Sequence, residues 1–395
     1  MAGIYVHIPF CKKRCRYCDF YSTAGENTAM RECYVKAVCR EMELRREFLQ
    51  GEAIKTMYFG GGTPSQLSPA LLGGIVRKAE EVFGFDTLDE LTIEANPDDL
   101  SQEWIDGLKE AIPQYQLRIS MGIQTFDDAL LCLLGRRHTA QQAIDAVHRL
   151  QDNGITEISI DLMYGLPRVE ESNEANKTYL EGWQNDLDKA VSLGVPHISA
   201  YHLSYEEGTP LSRMREQGEV REVNEEESLA CFKLLRHTLL GAGYRHYEIS
   251  NFALPGHEAR HNSSYWSGIP YLGLGPGAHS FDGMHRTWNH PNLIRYLEVL
   301  GSKEFIENFG TISSGETLSD EDRYNEYIMT RLRTAHGISP EEIATRFGNE
   351  RERHCRLRAQ TYLNSHRLSR TADGRWVLTE EGIFVSDAII ADLFC

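Results

Sequence analysis

Tyr5-Val6-His7-Ile8-Pro9-Phe10-Cys11-Lys12-Lys13-Arg14-Cys15-Arg16-Tyr17-Cys18-Asp19-Phe20 governs the reading of everything after it. A strand-like run leads directly into three cysteines spaced C-x3-C-x2-C. That spacing fits one compact loop able to wrap a single inorganic cluster. Four thiolates usually close an iron–sulfur cluster, so a [4Fe–4S] cube held by Cys11, Cys15 and Cys18 keeps one iron open. An open metal position belongs to a site that does chemistry rather than one that braces a fold. Two other readings compete. A structural zinc site wants four ligands, and His7 could be the fourth, although a residue in a strand-like run can point away. A disulfide needs an oxidising compartment, and nothing marks the chain as secreted.

Composition sets the outer bounds. The chain has 395 residues, 41% hydrophobic and 25% charged, as in ordinary globular proteins of two or three domains. Lys and Arg number 41 against 58 Asp and Glu, a net charge of −17. That balance disfavours nonspecific nucleic-acid binding, which needs basic surface. The first residues, Met1–His7, lack the features of a signal peptide, and no apolar run approaches the ~20 residues a spanning helix needs. Of nine cysteines, six are scattered singly, which fits a reducing cytoplasm. No membrane span is expected, which leaves room for transient contact with a membrane protein.

The first 205 or so residues repeat one unit: short apolar run, loop, helical stretch. The predicted strands are Ile4–Ile8, Thr56–Phe59, Leu91–Glu94, Leu117–Ile123, Glu157–Leu162 and His197–Leu203. They are rich in β-branched and aromatic residues. Helical segments between them include Arg31–Leu49, Pro69–Val82, Gln141–Gln151 and Asn176–Leu193. Strands alternating with helices imply a parallel sheet with right-handed crossovers. Six units are too few for a closed eight-unit barrel, so the fold class is α/β, a partial, open (β/α)6 barrel. In such folds the site forms from loops at the C-terminal strand ends. The cysteine loop, Gly60–Pro64, Glu94–Pro97, Gln124 and Asp161 all fall there.

From about Glu222 the pattern changes. A helix near Asn224–Ala242 leads to Tyr244–Phe252, read as another strand, and then to a Gly-rich stretch, Leu272–Ser280. The last section, from about Glu316, reads as helices with a short strand pair near Leu368–Ser369 and Trp376–Leu378, a winged-helix-like α+β module. The expected organisation is a barrel over 1–221, a linking α/β extension over 222–315 and the module over 316–395. Winged modules often bind DNA, but fold does not imply function, and Asp320, Glu321 and Asp322 weaken that reading. Gly273–Gly277 is a weak match to a dinucleotide loop, lacking the βαβ context.

The C-x3-C-x2-C spacing resembles the radical S-adenosylmethionine (SAM) superfamily, whose core is the partial barrel expected here. That resemblance implies a [4Fe–4S] cluster on Cys11, Cys15 and Cys18, with SAM chelating the open iron, and an electron donor. It assigns the SAM surroundings to Tyr5, Tyr17, Gly61, Gly62, Thr63, Glu94, Gln124, Arg136 and Asp161. Physical chemistry agrees with the residue types. Glycines let backbone approach a ligand, a strand-end carboxylate can accept ribose hydroxyls, and an arginine fork suits a carboxylate. Tight turns and surface ion pairs would explain the same residues, and Arg137 could stand in for Arg136.

The resemblance narrows further. Tyr5–Phe10, Gly60–Pro64, Ile119–Phe126, Leu134–His138, Asp161–Pro167, Tyr247–Phe252, His261–Trp266 and Gly275–Ser280 are similar to the oxygen-independent coproporphyrinogen III oxidase group. One branch decarboxylates tetrapyrrole propionates by radical chemistry; the other, the HemW-type haem chaperones, binds haem and passes it to recipient proteins. Three departures favour the chaperones. Phe20 stands where the oxidases carry a further cysteine, only ten residues precede Cys11, and His261-Asn262-Ser263-Ser264-Tyr265-Trp266 matches the chaperone motif H-N-x-x-Y-W. Oxidase activity is therefore doubtful. His261 is the candidate haem residue, since neutral imidazole is a common axial ligand; a solvated loop histidine beside His257 and Arg260 is the plainer alternative. The expected partners are haem, a haem-accepting protein and an electron donor, with no nucleic acid.

Overall fold

The computed structural model describes residues 1–85, 87–167 and 179–395. The end of the expected helix Asn176–Leu193 nearest the N-terminus, 176–178, lies outside them. Each of the six expected strands forms: β1 (Ala2–Ile8), β2 (Ile54–Gly61), β3 (Glu90–Ala95), β4 (Leu117–Gln124), β5 (Glu157–Tyr164) and β6 (His197–His202). All six are parallel, in sequence order. The helices between them are α1 (Thr28–Leu44), α2 (Pro69–Phe83), α3 (Gln102–Ala111), α4 (Asp128–Leu134), α5 (Ala140–Asp152) and α6 (Tyr179–Ser192).

Local chemistry explains where these helices begin and end. Ser68 caps α2 by accepting from the Leu71 N–H, with Pro69 at the first helical position, and Gly84 closes it in the left-handed region at φ 65°. Thr139 and Gln142 form a reciprocal capping box at α5.

The strands have two unlike faces, because side chains alternate along a strand. Ile4, Met57 and Leu91 lie in register, as do Val6, Phe59, Ile93, Ile119 and Ile158. All are fully buried, in the layer between sheet and helices. The opposite face carries Tyr5, Tyr58, Glu94, Ser120, Asp161 and Ser199, which line the lumen. A one-residue slip would drive those polar groups into the core, so the register is strongly specified.

The sheet is wider than the six units. The expected strand Tyr244–Phe252 is instead a hairpin, β7 (Arg245–Glu248) and β8 (Asn251–Ala253), whose second arm pairs antiparallel with β6. The chain reverses at Ile249 and Ser250, where the Ser250 N–H donates to Glu248 and its carbonyl accepts from Ala200. The Gly-rich stretch supplies β9 (Tyr271–Leu274), a seventh parallel strand beside β1. Gly273 permits this: a Cβ there would lie 1.9 Å from the His279 carbonyl oxygen. Beyond it run antiparallel β10 (His279–Phe281), β11 (His285–Asn289) and β12 (Ser313–Thr317). The twelve-stranded sheet is open, ending at β12 on one side and β7 on the other.

Further helices are α7 (Pro210–Glu216), α8 (Glu225–Gly241), α9 (Arg260–Trp266) and α10 (Leu293–Gly301). The C-terminal section has its own core around Tyr324, Ile328, Ile343, Cys355 and Trp376. It comprises α11 (Asp320–Leu332), α12 (Pro340–Phe347), α13 (Asn349–Asn364), the hairpin β13 (Leu368–Arg370) and β14 (Trp376–Leu378), and two short closing helices. Among the described residues no helix is long and apolar enough to cross a membrane.

Candidate radical SAM site

The cysteine loop leaves the C-terminal end of β1 and is clamped from two sides. The Arg16 N–H donates to the Leu134 carbonyl at the end of α4, and the Leu211 N–H at the start of α7 donates to Arg16. Tyr17 packs into a small apolar cluster with Leu134, Met163 and Leu203. Cys11, Cys15 and Cys18 are all free thiols, half-buried. Burial raises the pKa of Cys11, against a hydrogen bond from Thr63, and raises that of Cys18 to about 11. Cys11 and Cys18 are therefore protonated until a metal displaces the proton.

A chain of polar groups links two of them. The Cys11 Sγ lies 3.4 Å from the Thr63 Oγ1, which accepts from Asn96 Nδ2 at 3.3 Å. Asn96 Oδ1 accepts from Arg136 Nη2 at 2.5 Å, and Arg136 Nη1 donates to the Cys15 Sγ at 3.4 Å. Arg136 also donates to the Gly122 carbonyl, while its buried Nε has no partner among the described residues. Arg137 is committed elsewhere, to Asp98 at 2.7 Å and Asp99 at 3.3 Å, so of the two it is Arg136 that reaches the cysteine loop. Asn96 lies in the expected rim segment Glu94–Pro97 but is not among the residues the resemblance assigns to SAM. A strand-end asparagine before a proline reads as a turn, and only its long-range partners reveal its place.

The remaining expected residues converge on the same rim. Gly61 adopts φ 109°, and a Cβ there would meet the His7 ring at 2.6 Å; one at Gly62 would meet the Ile8 carbonyl at 2.9 Å. Glu94 accepts from Tyr58 O–H at 2.8 Å and from the Gly61 N–H at 3.2 Å. Burial pushes its pKa up to about 7, opposed by those two donors. Asp161 is pushed up to about 6 by burial, restrained by Ser199, Arg136 and Arg118. Gln124 takes φ 75° at a bulge between β4 and β5, a strained backbone typical of functional sites. Tyr5 stacks on Tyr58 from the lumen wall, ring centroids 6.1 Å apart.

His7 does not stand where the zinc alternative would need it. Both His7 ring nitrogens are engaged, with Tyr5 O–H at 3.1 Å and the Tyr21 carbonyl at 2.9 Å. It is not a spare ligand for the loop. Among the described residues no three His, Cys, Asp or Glu side chains converge on one ion. A cube takes each thiolate at a different corner iron and needs no such convergence.

His261 departs further. It is fully buried at the N-terminal ends of the strands, opposite the cysteine loop. Its Nδ1 bonds Thr56 Oγ1 and its Nε2 bonds Tyr265 O–H, each at 2.8 Å. Burial lowers its pKa to about 3. The Glu90 carboxylate accepts the Arg260 and His261 N–H groups at 2.8 and 3.0 Å, anchoring the start of α9. In this structure His261 has no nitrogen free for a haem iron; it plugs the barrel floor, and the same motif turns Tyr265 and Trp266 toward a neighbouring cleft.

Comparison with known proteins shows the family. Residues 5–180 match the model of the radical SAM superfamily, and 318–385 match the HemN C-terminal domain. The chain is 34% identical to the haem chaperone HemW of Lactococcus lactis, covering 87% of this chain and 84% of that protein. It is 32% identical to the haem chaperone HemW of Mycobacterium tuberculosis, covering 99% and 94%. Coproporphyrinogen III oxidase (HemN) from Escherichia coli, described as a radical SAM enzyme, superposes with a TM-score of 0.80 at 20% identity, over 100% of this chain and 90% of that one. At that identity the superposition shows a shared fold.

Proposed function

The chain belongs to the HemW family of the radical SAM superfamily, and on that premise we propose that it binds a [4Fe–4S] cluster, SAM and haem, and delivers haem to recipient proteins. The observation that carries this reading is the chain of hydrogen bonds from Cys11 through Thr63, Asn96 and Arg136 to Cys15. Side chains from three separate loops are spent on presenting unpaired thiols, which a merely structural loop does not require.

Cys11, Cys15 and Cys18 hold the cluster, and Gly61, Gly62 and Thr63 bring backbone to the amino-acid end of SAM. Tyr5, Tyr17, Glu94, Gln124, Arg136 and Asp161 surround the rest. The cluster and SAM, when bound, supply one-electron chemistry. The protein's contribution is orientation and exclusion of water: Tyr17 and the Leu134 cluster cover the loop. An electron donor serves the cluster, and nine free thiols fit a reducing cytoplasm as the place of action.

The test is a haem titration of the anaerobically reconstituted protein, followed at the Soret band. Saturation near one equivalent is expected. Absence of saturable binding, together with turnover of coproporphyrinogen, would replace this reading with the radical oxidase.

A further inference from the structure

The concave face of the sheet continues past β1 onto β9, β10 and β11, and α11 lies across it. Between them is a cleft of about 660 Å³, within the range of ligand pockets. It adjoins the cofactor rim. Tyr5 and His7 line both, and Phe20, two residues beyond Cys18, stands at its edge with 66% of its surface exposed. Trp266, Tyr271 and Phe281 make its aromatic walls.

Four arginines line this cleft, and three are already paired. Arg286 bonds Glu316 and Glu326, Arg323 bonds Asp320, and Arg346 bonds Glu342. Arg331 packs over the Tyr327 ring at 5.9 Å and has no ion pair or side-chain hydrogen bond among the described residues. An unpaired guanidinium beside aromatic surface suits a flat ligand carrying a carboxylate. Two histidines line the cleft. His7 has both nitrogens occupied. His279, on β10, is exposed, stacks on Trp288 at 6.0 Å, and has no hydrogen-bond partner for either ring nitrogen among the described residues.

We propose that this cleft is the haem seat: the macrocycle lies against Trp266, Tyr271 and Phe281, a propionate pairs with Arg331, and His279 is the axial ligand. The three requirements of a metalloporphyrin (an aromatic apolar wall, a cation for carboxylate, a free imidazole for iron) meet here and not at His261. The inference rests on the haem-binding reading above and gives that cargo its place beside the cofactor rim.

The experiment titrates haem into the full-length, anaerobically reconstituted protein as wild type, His279→Ala, Arg331→Glu and Arg295→Glu. Arg295 is an exposed arginine on α10 outside the cleft and controls for net charge. His279→Ala is expected to change the Soret band and lose the imidazole-ligated spectrum, with free imidazole restoring it. Arg331→Glu is expected to weaken binding about tenfold or more, the worth of a hydrogen bond to a charged group, and Arg295→Glu to leave it unchanged. Wild-type binding with both cleft variants unaltered in spectrum and affinity would overturn the seat while leaving haem binding intact. No saturable binding by wild type would overturn the haem reading, and this inference with it.

Discussion

Replacing Asn96 with alanine removes two hydrogen bonds at the centre of the polar chain. One is charge-assisted, from Arg136 at 2.5 Å; the other is neutral, to Thr63 at 3.3 Å. A bond to a charged group contributes about 1.5–3 kcal/mol and a neutral one about 0.5–1.5 kcal/mol. Arg136 already leaves its buried Nε unpartnered, so the freed Nη2 has few alternatives besides the Gly122 carbonyl. If about 2 kcal/mol of that loss falls on ligand positioning, SAM affinity drops roughly 30-fold. Asn96→Asp keeps the acceptor for Arg136 and loses only the donor to Thr63, so its loss is smaller, about tenfold or less. The assay is equilibrium SAM binding to cluster-loaded protein, with iron and sulfide content measured in parallel. Full iron content with unchanged SAM affinity in Asn96→Ala would refute the role of the polar chain.

Glu41 is fully buried and accepts from Gly275 N–H, Asn289 Nδ2 and Tyr296 O–H at 2.9, 2.7 and 2.6 Å, beside Arg45. Glu41→Ala strands those donors and the Arg45 charge, and should cost about 3–5 kcal/mol of stability by urea unfolding; a loss under 1 kcal/mol would count against the hub. The folded pKa of Glu94, about 7, lies above its ordinary 4.5. Its stabilising contribution is therefore complete below about pH 4.5 and lost as pH rises through about 7. Glu94→Gln should flatten that decline in the cofactor-free protein, and an unchanged pH profile would contradict the assignment. Cationic SAM beside Glu94 favours its ionised form, so binding near pH 6.5 should release protons, read by calorimetry in buffers of different ionisation enthalpy. Gly61→Ala should abolish SAM binding while the fold survives, because φ 109° and the His7 ring both exclude a Cβ.

The barrel was legible because its signals are local. Short β-branched runs punctuated by Gly and Pro located all six strands to within a few residues, and alternation with helices implied their parallel order. The polar alternation within those runs, as in Leu91-Thr92-Ile93-Glu94, also holds the lumen lining, a period-2 signal that a search for buried parallel strands overlooks. The seventh strand escaped because Tyr271–Leu274 is only four residues with an internal glycine, and its partner β1 lies far away in sequence. The H-N-x-x-Y-W motif was readable as a motif but not as a position. Nothing near His261 announces that Thr56 and Glu90 will close over it.

By itself, then, the sequence determined the cysteine spacing, the strand and helix order, and the family, since these depend on residues a few positions apart. Only the tertiary structure decided which polar atoms meet. Asn96 between Thr63 and Arg136, His261 sealed in the barrel floor, and His279 and Arg331 facing one cleft are all long-range pairings. Such contacts are set by register and packing of distant segments, which no local pattern encodes.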